Sequence, residues 1–196
     1  MIRSFKEIKK ELEKRRLKQN PLRDAEGRVV VDIRILNDDE FLSPYSAENH
    51  NIVSEEASSF IEHSLQAVPV EEPLHFRVHS DVITAEEQKE YTKAIHEYYE
   101  DCYVSTAFEK KRLTFMALIM ALVGVAALTL MIGLDVTGNK TAIALEVIDI
   151  FAWVFLWEAV DIFFLQGALL RFKQKRYLAL ADCIVEYLPL KEEEHA

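Results

Sequence analysis

A run of 22 residues without a charge, LTFMALIMALVGVAALTLMIGL at 113–134, most constrains what this chain can fold into. At 1.5 Å per residue, a helix of this length covers about 33 Å, which matches the roughly 30 Å hydrocarbon core of a bilayer. A buried helix of a soluble protein is normally shorter and carries a polar stripe. The run therefore predicts a first transmembrane helix over residues 113–134.

A second apolar segment, IFAWVFLWEAVDIFFLQGALL at 150–170, holds two acids near its centre, Glu158 and Asp161. Its twelve Leu, Ile, Phe and Val residues favour insertion by about 4–7 kcal/mol in total. The two acids together cost about 5–7 kcal/mol, so the segment alone inserts only marginally. The segment can nevertheless insert as the return arm of a hairpin, because it follows the first span after a short connection. We therefore predict a second transmembrane helix over residues 150–170.

Basic residues that flank the two segments predict the orientation of the hairpin. Three precede the first segment and four follow the second, whereas the connection 135–149 holds only Lys140. Basic flanks stay on the cytoplasmic side, so we predict a multi-pass protein of the cell membrane with both termini cytoplasmic. Residues 135–149 then form an extracytoplasmic turn and the start of the second helix. The flanking residues are Lys110, Lys111, Arg112, Arg171, Lys173, Lys175 and Arg176.

The rest of the chain is polar enough to form a small cytoplasmic head. Charged residues make up 29% of the chain and the net charge is −10, which argues against a general nucleic-acid binder. Residues 1–20 are basic, with apolar residues every three or four positions, and predict an amphipathic helix. This helix lies either on the anionic inner leaflet or on the head. We predict that residues 21–112 form the head and a juxtamembrane helix. Residues 171–196 are predicted to form a cytoplasmic tail.

Alternating apolar residues predict two strands in the head, RVVVDIRIL at 28–36 and LHFRVHS at 74–80. Between them, Ser54 caps a predicted helix that runs to about Gln66. A strand, a helix and a strand in this order predict a parallel crossover. The tail segment 181–190 also alternates and predicts either a third strand or a continued helix. The overall prediction is an α+β fold, in which a helix-strand-helix-strand-long helix head precedes a two-helix transmembrane hairpin.

The long helix begins at a capping box, Thr84-Ala-Glu-Glu87. No Pro or Gly separates Thr84 from Gly124, so one helix is predicted to continue from the head into the first span. Ala117, Ala121 and Gly124 lie at helical spacing within that span. Small residues at such spacing let two helices approach closely in a membrane. We therefore predict that these three residues form a helix-packing face.

The sequence signatures of common catalytic sites are absent from the chain. It has no phosphate loop, nucleophile elbow, CxxC pair or HExxH motif, and we predict no enzymatic activity and no cofactor. His75 and His79 share one face of a predicted strand and suit a metal ion. No third ligand is identifiable, and a solvent-facing polar stripe gives the same pattern, so no metal site is predicted.

Glu158 and Asp161 are three residues apart and therefore share one face of a helix. Arg171, the nearest cation after them, is about 15–20 Å away along the helix, and Thr114 and Thr129 are the obvious polar groups of the first span. Three interpretations stay open: protonated acids between packed helices, acids that bind a polar or cationic group of another chain, and acids that line an ion path.

These interpretations lead to two functional predictions. The first is a membrane-anchored interaction or scaffold protein in the lipid bilayer, assembled as a homo-oligomer or with another membrane protein. The alternative is a small channel or a subunit that handles protons or cations through Glu158 and Asp161. The sequence names no ligand, partner or pathway.

Three stretches resemble an uncharacterised family of bacterial proteins with two transmembrane helices and a cytoplasmic head. They are EFLSPYS at 40–46, TAEEQKEYTKAIHEYYED at 84–101 and AWVFLWEAVDIFF at 152–164. The resemblance extends over most of the chain. It implies the two-span topology and the cytoplasmic head, and it implies no activity.

Overall fold

The computed structural model describes residues 22–45, 51–65, 68–70, 72–136 and 142–190. The chain divides into a head, residues 1–101 and 176–196, and a helical unit, residues 102–175. The predicted amphipathic helix at residues 1–20 lies outside the described residues. In chain order the elements are strand β1 (Val29–Arg34), helix α1 (Glu55–Ser64), strand β2 (Leu74–His79), helix α2 (Ala85–Val136), helix α3 (Ala142–Asp161), a π-helical turn (Ile162–Gln166), helix α4 (Gly167–Ala181) and strand β3 (Ile184–Leu188).

The head contains a parallel sheet of three strands in the order β1-β2-β3. Along its middle, Val31 pairs with Phe76 and Phe76 pairs with Val185. The parallel pairing of β1 with β2 agrees with the strand-helix-strand order of the sequence. The third strand resolves the open alternative for the tail, because α4 ends at Ala181 and the chain then extends alongside β2.

One face of this sheet forms the hydrophobic core of the head. Leu74, Phe76 and Val78 alternate along β2 and are each at most 3% exposed. Val78 belongs to a buried cluster that also contains Ile83 and Tyr91. Full burial of one large apolar side chain contributes about 1.5–3 kcal/mol, so the alternation seen in the sequence supplies the main stabilising contact of the head.

The capping box at the start of α2 forms as predicted. The backbone N–H of Thr84 donates to Glu87 Oε2 at 2.8 Å, and the backbone N–H of Glu87 donates to Thr84 Oγ1 at 3.4 Å. The hydrogen bonds from the Thr84 hydroxyl and backbone N–H hold the pKa of Glu87 below its ordinary value. The helix then continues without interruption to Val136, through Gly124 and Gly133, so one helix runs from the head into the apolar run 113–134, as predicted.

The second apolar segment agrees with the prediction in where its helix begins and differs from it in continuity. Helix α3 begins at Ala142, so residues 142–149 of the connection are the start of the second helix, as predicted. A π-helical turn then separates α3 from α4, and the N–H of Gly167 donates to Ile162 O. A π-helical turn carries i→i+5 hydrogen bonds in place of the i→i+4 bonds of an α-helix. Residues 137–141 of the predicted turn lie outside the described residues.

Candidate functional site

Helices α2 and α3 pack side by side in opposite directions within the helical unit. Gly124 of α2 lies so close to α3 that a Cβ atom added to it would stand 2.7 Å from Leu156 Cγ and 3.1 Å from the backbone oxygen of Ala152. Earlier on α2, Lys110 Nζ donates to Gln174 Oε1 at 3.5 Å. Residues further along α2 thus contact residues earlier in the returning segment, which makes the pair antiparallel.

Of the predicted packing face of α2, Gly124 makes this contact, whereas Ala117 and Ala121 line a groove beside it. Ala117 is 4% exposed, Gly124 is buried and Ala121 is half-buried. On the facing helix, Ala152 and Ala159 are 0% and 7% exposed. These two alanines were not predicted from the sequence. Their separation of seven residues places them on one helix face and is the signal that could have identified them.

Large apolar side chains cover the outer surface of the helical unit. Contiguous apolar patches of more than a few hundred Å² are rare on soluble monomers. Of the described helices, α2 is the one that is both long and apolar enough to cross a membrane, and its most apolar window of 18 residues is only 11% buried. Side chains more than half exposed include Phe115, Leu118, Leu122 and Leu130 on α2, Trp153, Val154 and Trp157 on α3, and Phe163, Phe164 and Leu165 in the π-helical turn.

The two acids of α3 have different surroundings. Glu158 is exposed, and none of the described residues forms a hydrogen bond or an ion pair with it. Asp161 is half-buried and accepts a hydrogen bond from Gln166 Nε2 to its Oδ2 atom at 3.2 Å. The π-helical turn makes this bond possible because its wider turn brings residues five apart to one side. The contact between Gln166 and Asp161 was not predicted from the sequence, because ordinary helical spacing pairs residues three or four apart.

Thr114 and Thr129, the two threonines of the run 113–134, form no hydrogen bond with the acids. Thr114 Oγ1 donates to the backbone oxygen of Lys110 at 2.9 Å, and Thr129 Oγ1 donates to that of Val125 at 2.8 Å. Both hydroxyls are therefore satisfied within their own helix. Glu158 consequently remains the one acid of the predicted pair whose partner is not found among the described residues.

Most of the predicted flanking basic residues are exposed, and one has another role. Lys111, Arg112, Arg171, Lys173 and Lys175 are exposed, and Lys110 is half-buried beside Gln174. Arg176 belongs to the head, where its Nη2 atom donates to the backbone oxygen of Val68 at 2.7 Å. Burial lowers the pKa of Arg176, against the opposing charge of Glu62. Its guanidinium thus ties α4 to the loop before β2.

The histidines of β2 form a polar stripe with carboxylates. His75 Nδ1 is 3.1 Å from Asp24 Oδ2, and its Nε2 is 3.2 Å from Glu186 Oε2, an ion-pair distance without hydrogen-bond alignment. His79 Nε2 is 3.1 Å from Asp32 Oδ1. The described residues contain no group of three side chains that could hold a metal ion. These pairs therefore connect β2 with the turn at Asp24, with β3 through Glu186 and with β1 through Asp32.

Asp24 is the most heavily bonded carboxylate of this stripe. It accepts hydrogen bonds from the backbone N–H of Arg28 at 2.9 Å, from Arg28 Nε at 3.0 Å and from His75 Nδ1 at 3.1 Å. Burial by itself raises the pKa of Asp24, but the hydrogen bonds from Arg28 and His75 and the charge of Arg28 outweigh it. The pKa of Asp24 is therefore lowered from its ordinary value of 3.8.

This lowered pKa predicts a specific acid sensitivity of the head. Because the folded pKa of Asp24 is below the unfolded one, its stabilising contribution is complete above about pH 4 and is lost as pH falls through the folded pKa. We expect the Asp24→Asn variant to lose less free energy of unfolding between pH 5 and pH 2 than the wild type does. Denaturant titrations at a series of pH values measure the difference. Asp39→Asn, an exposed control, should keep the wild-type slope, and equal slopes for both variants would contradict the prediction.

The chain was also compared with known proteins. No family model, no curated protein and no solved structure matches it. The resemblance to two-span bacterial proteins therefore stays a prediction.

Proposed function

We propose that the apolar part of α2 and the returning segment of residues 150–170 cross the cell membrane as a helical hairpin that anchors the head on the cytoplasmic side. The observation that carries this proposal is the exposed apolar surface of both segments. On the second segment, for example, Trp153 and Trp157 are 61% and 69% exposed. Lipid chains are as apolar as such side chains, so a bilayer removes the cost of exposing this surface to water. The close contact at Gly124 supports the second span, because the segment 150–170 inserts only marginally alone but gains van der Waals contact when it packs on α2.

The basic residues on both sides of the hairpin support the orientation. Lys111, Arg112, Arg171 and Lys173 are exposed on the segments that enter and leave the helical unit. The positive-inside rule favours an orientation in which both termini are in the cytoplasm. Thiol labelling tests the topology through Cys102, which is half-buried, whereas Cys183 is only 2% exposed. In the proposed orientation Cys102 is inside the cell, so a reagent that cannot cross the membrane should label it in permeabilised cells and not in intact cells. Labelling of Cys102 from outside would contradict the proposed orientation.

The proposed role is interaction with a second membrane-spanning chain, either another copy or a different protein. It follows from the contrast between the two acids: Asp161 has Gln166, whereas Glu158 is exposed among apolar residues. A carboxyl group in lipid costs about 2.5–3.5 kcal/mol on insertion scales. A hydrogen-bonding group on a neighbouring chain offsets part of this cost, and interhelical bonds of this kind contribute about 0.6–2 kcal/mol.

The decisive experiment is the Glu158→Leu substitution. We expect it to weaken assembly in detergent or lipid discs by about 3–30-fold in dissociation constant, because the variant loses the polar contact without losing apolar surface. Mass measurement over a dilution series checks this result. Glu146→Leu, an equally exposed acid near the start of α3, is the matched control and should assemble like the wild type. Unchanged assembly of the Glu158→Leu variant would refute the interaction role.

A channel or a proton- or cation-handling subunit is the second candidate. It is favoured by the polar strip that Glu158, Asp161 and Gln166 form on one segment, with a π-helical turn beside it. Such turns are frequent at functional sites, and carboxylates within a membrane often mark ion pathways. Flux in liposomes separates the two candidates. Flux that is lost in Glu158→Leu at unchanged mass would favour the channel, whereas no flux and reduced mass would favour the interaction role.

A further inference from the structure

A groove of about 1060 Å³ lies between α2 and the segment formed by α3 and the π-helical turn. Its walls are mostly apolar and aromatic. One end is polar, because Lys110, Lys111 and Gln174 line it, and Lys110 Nζ is 3.5 Å from Gln174 Oε1. The apolar walls include Phe115, Leu118, Val160, Phe163 and Phe164.

The length of the groove corresponds to one leaflet of a bilayer. Its lining on α2 runs from Ala107 to Ala121, which is about 21 Å along a helix. Half of a bilayer that is about 40–45 Å thick with its headgroups is about 20–22 Å. A molecule that fills the groove therefore has an extended apolar part about as long as a lipid chain and a polar group at the lysine end.

The charge at the polar end selects the kind of lipid. Lys110 and Lys111 carry positive charge there, and no acidic side chain lines the groove. In the proposed orientation this end lies at the cytoplasmic leaflet, which is rich in anionic lipids, and a basic residue near that surface contributes about 1 kcal/mol to anionic binding. Glu158 and Asp161 lie outside the lining, so a partner chain at Glu158 does not compete for the same contacts.

We propose that this groove is a binding site for one anionic phospholipid of the inner leaflet. The headgroup phosphate contacts Lys110 and Lys111, and Gln174 positions Lys110. An acyl chain packs between Phe115 and Leu118 on one side and Val160 and Phe163 on the other. The proposal rests on the membrane hairpin described under the proposed function and adds the ligand class and the residues that select it.

Native mass spectrometry of the full chain tests the site. The protein is extracted from lipid discs that contain equal amounts of phosphatidylglycerol and phosphatidylcholine, and the retained lipid is counted. The wild type should retain one phosphatidylglycerol in preference to phosphatidylcholine. Lys110→Gln/Lys111→Gln should reduce that preference roughly 30-fold, which corresponds to about 1 kcal/mol for each lysine. Arg171→Gln/Lys173→Gln removes the same charge from exposed residues outside the lining and should retain the preference.

A second pair of variants tests the apolar part of the groove without changing charge. Val160→Trp fills the groove and should lower the retention of all phospholipids. Val154→Trp places the same side chain on an exposed position of the same helix outside the lining and should behave like the wild type. Equal retention in these two variants would overturn the site, as would equal losses in the two double variants of the basic residues.

The outcome for this site can be separated from the outcome for the membrane hairpin. If the protein requires detergent but shows no preference for phosphatidylglycerol, the hairpin stands and the lipid site is refuted. If the full chain is soluble and monodisperse without detergent or lipid, both the hairpin and the lipid site are refuted.

Discussion

Replacing Gly124 by isoleucine is expected to force α2 and α3 apart and to lower the free energy of unfolding of the helical unit by about 2–3 kcal/mol. The reason is steric, because even a Cβ atom at this position would come within 2.7 Å of Leu156 Cγ and 3.1 Å of the Ala152 backbone oxygen. Leu156 can rotate away, but the backbone of α3 has to move, and overpacking of this kind typically costs about 1–3 kcal/mol. Hydrogen exchange of the α3 amides measures the loss locally.

Gly133→Ile is the matched control for this prediction. Gly133 lies on the same helix, and nothing is within 4 Å of the Cβ atom that a substitution would add. Isoleucine has a better intrinsic helix propensity than glycine, so Gly133→Ile should leave the protection of α3 unchanged or slightly increased. If both substitutions reduce protection equally, the close approach at Gly124 does not stabilise the pair.

Replacing Phe76 by alanine is expected to destabilise the head by about 3–5 kcal/mol. Phe76 occupies the middle of the central strand and is only 3% exposed. It pairs with Val31 on one side and Val185 on the other. Truncation leaves a cavity between the sheet and the helices, and buried Phe→Ala changes typically cost this amount. Since domains are stable by only about 5–15 kcal/mol, the head should be partly unfolded at physiological temperature.

Phe60→Ala provides the comparison within the head. Phe60 lies on α1 and is 53% exposed, so its truncation removes about half as much buried surface and should cost only about 1–1.5 kcal/mol. Hydrogen exchange of the sheet amides distinguishes the two variants and separates the head from the helical unit. A similar loss of protection in both would show that Phe76 is not part of the stabilising core.

Much of the fold follows from patterns between near neighbours in the sequence. The alternation of 28–36 and 74–80 predicted β1 and β2, and the capping box at Thr84 predicted where α2 begins. The charge-free run 113–134 predicted the most apolar part of α2. Each of these features depends on the local geometry of a helix or strand, which a window of ten to twenty residues contains.

The candidate site could be predicted only in part. The apolar context of Glu158 and Asp161 identified both acids, but it did not show that they differ. That difference depends on the π-helical turn, which brings Gln166 to Asp161 and leaves Glu158 exposed. A one-residue change in helical register cannot be read from an apolar sequence, because the apolar residues on either side of it fit both kinds of helix.

The sequence by itself determined β1, β2 and the helices that follow them, their order, and the apolar character of residues 113–134 and 150–170, but it left the tail open between a strand and a helix. The tertiary structure decided which distant residues meet: His75 pairs with Ile184 across β2 and β3, Arg176 reaches Val68, and Gly124 lies against Leu156. Periodicity specifies which face of an element is apolar, because it reflects backbone geometry. It does not specify the partner of that face, because the partner is chosen by packing between segments that can be a hundred residues apart.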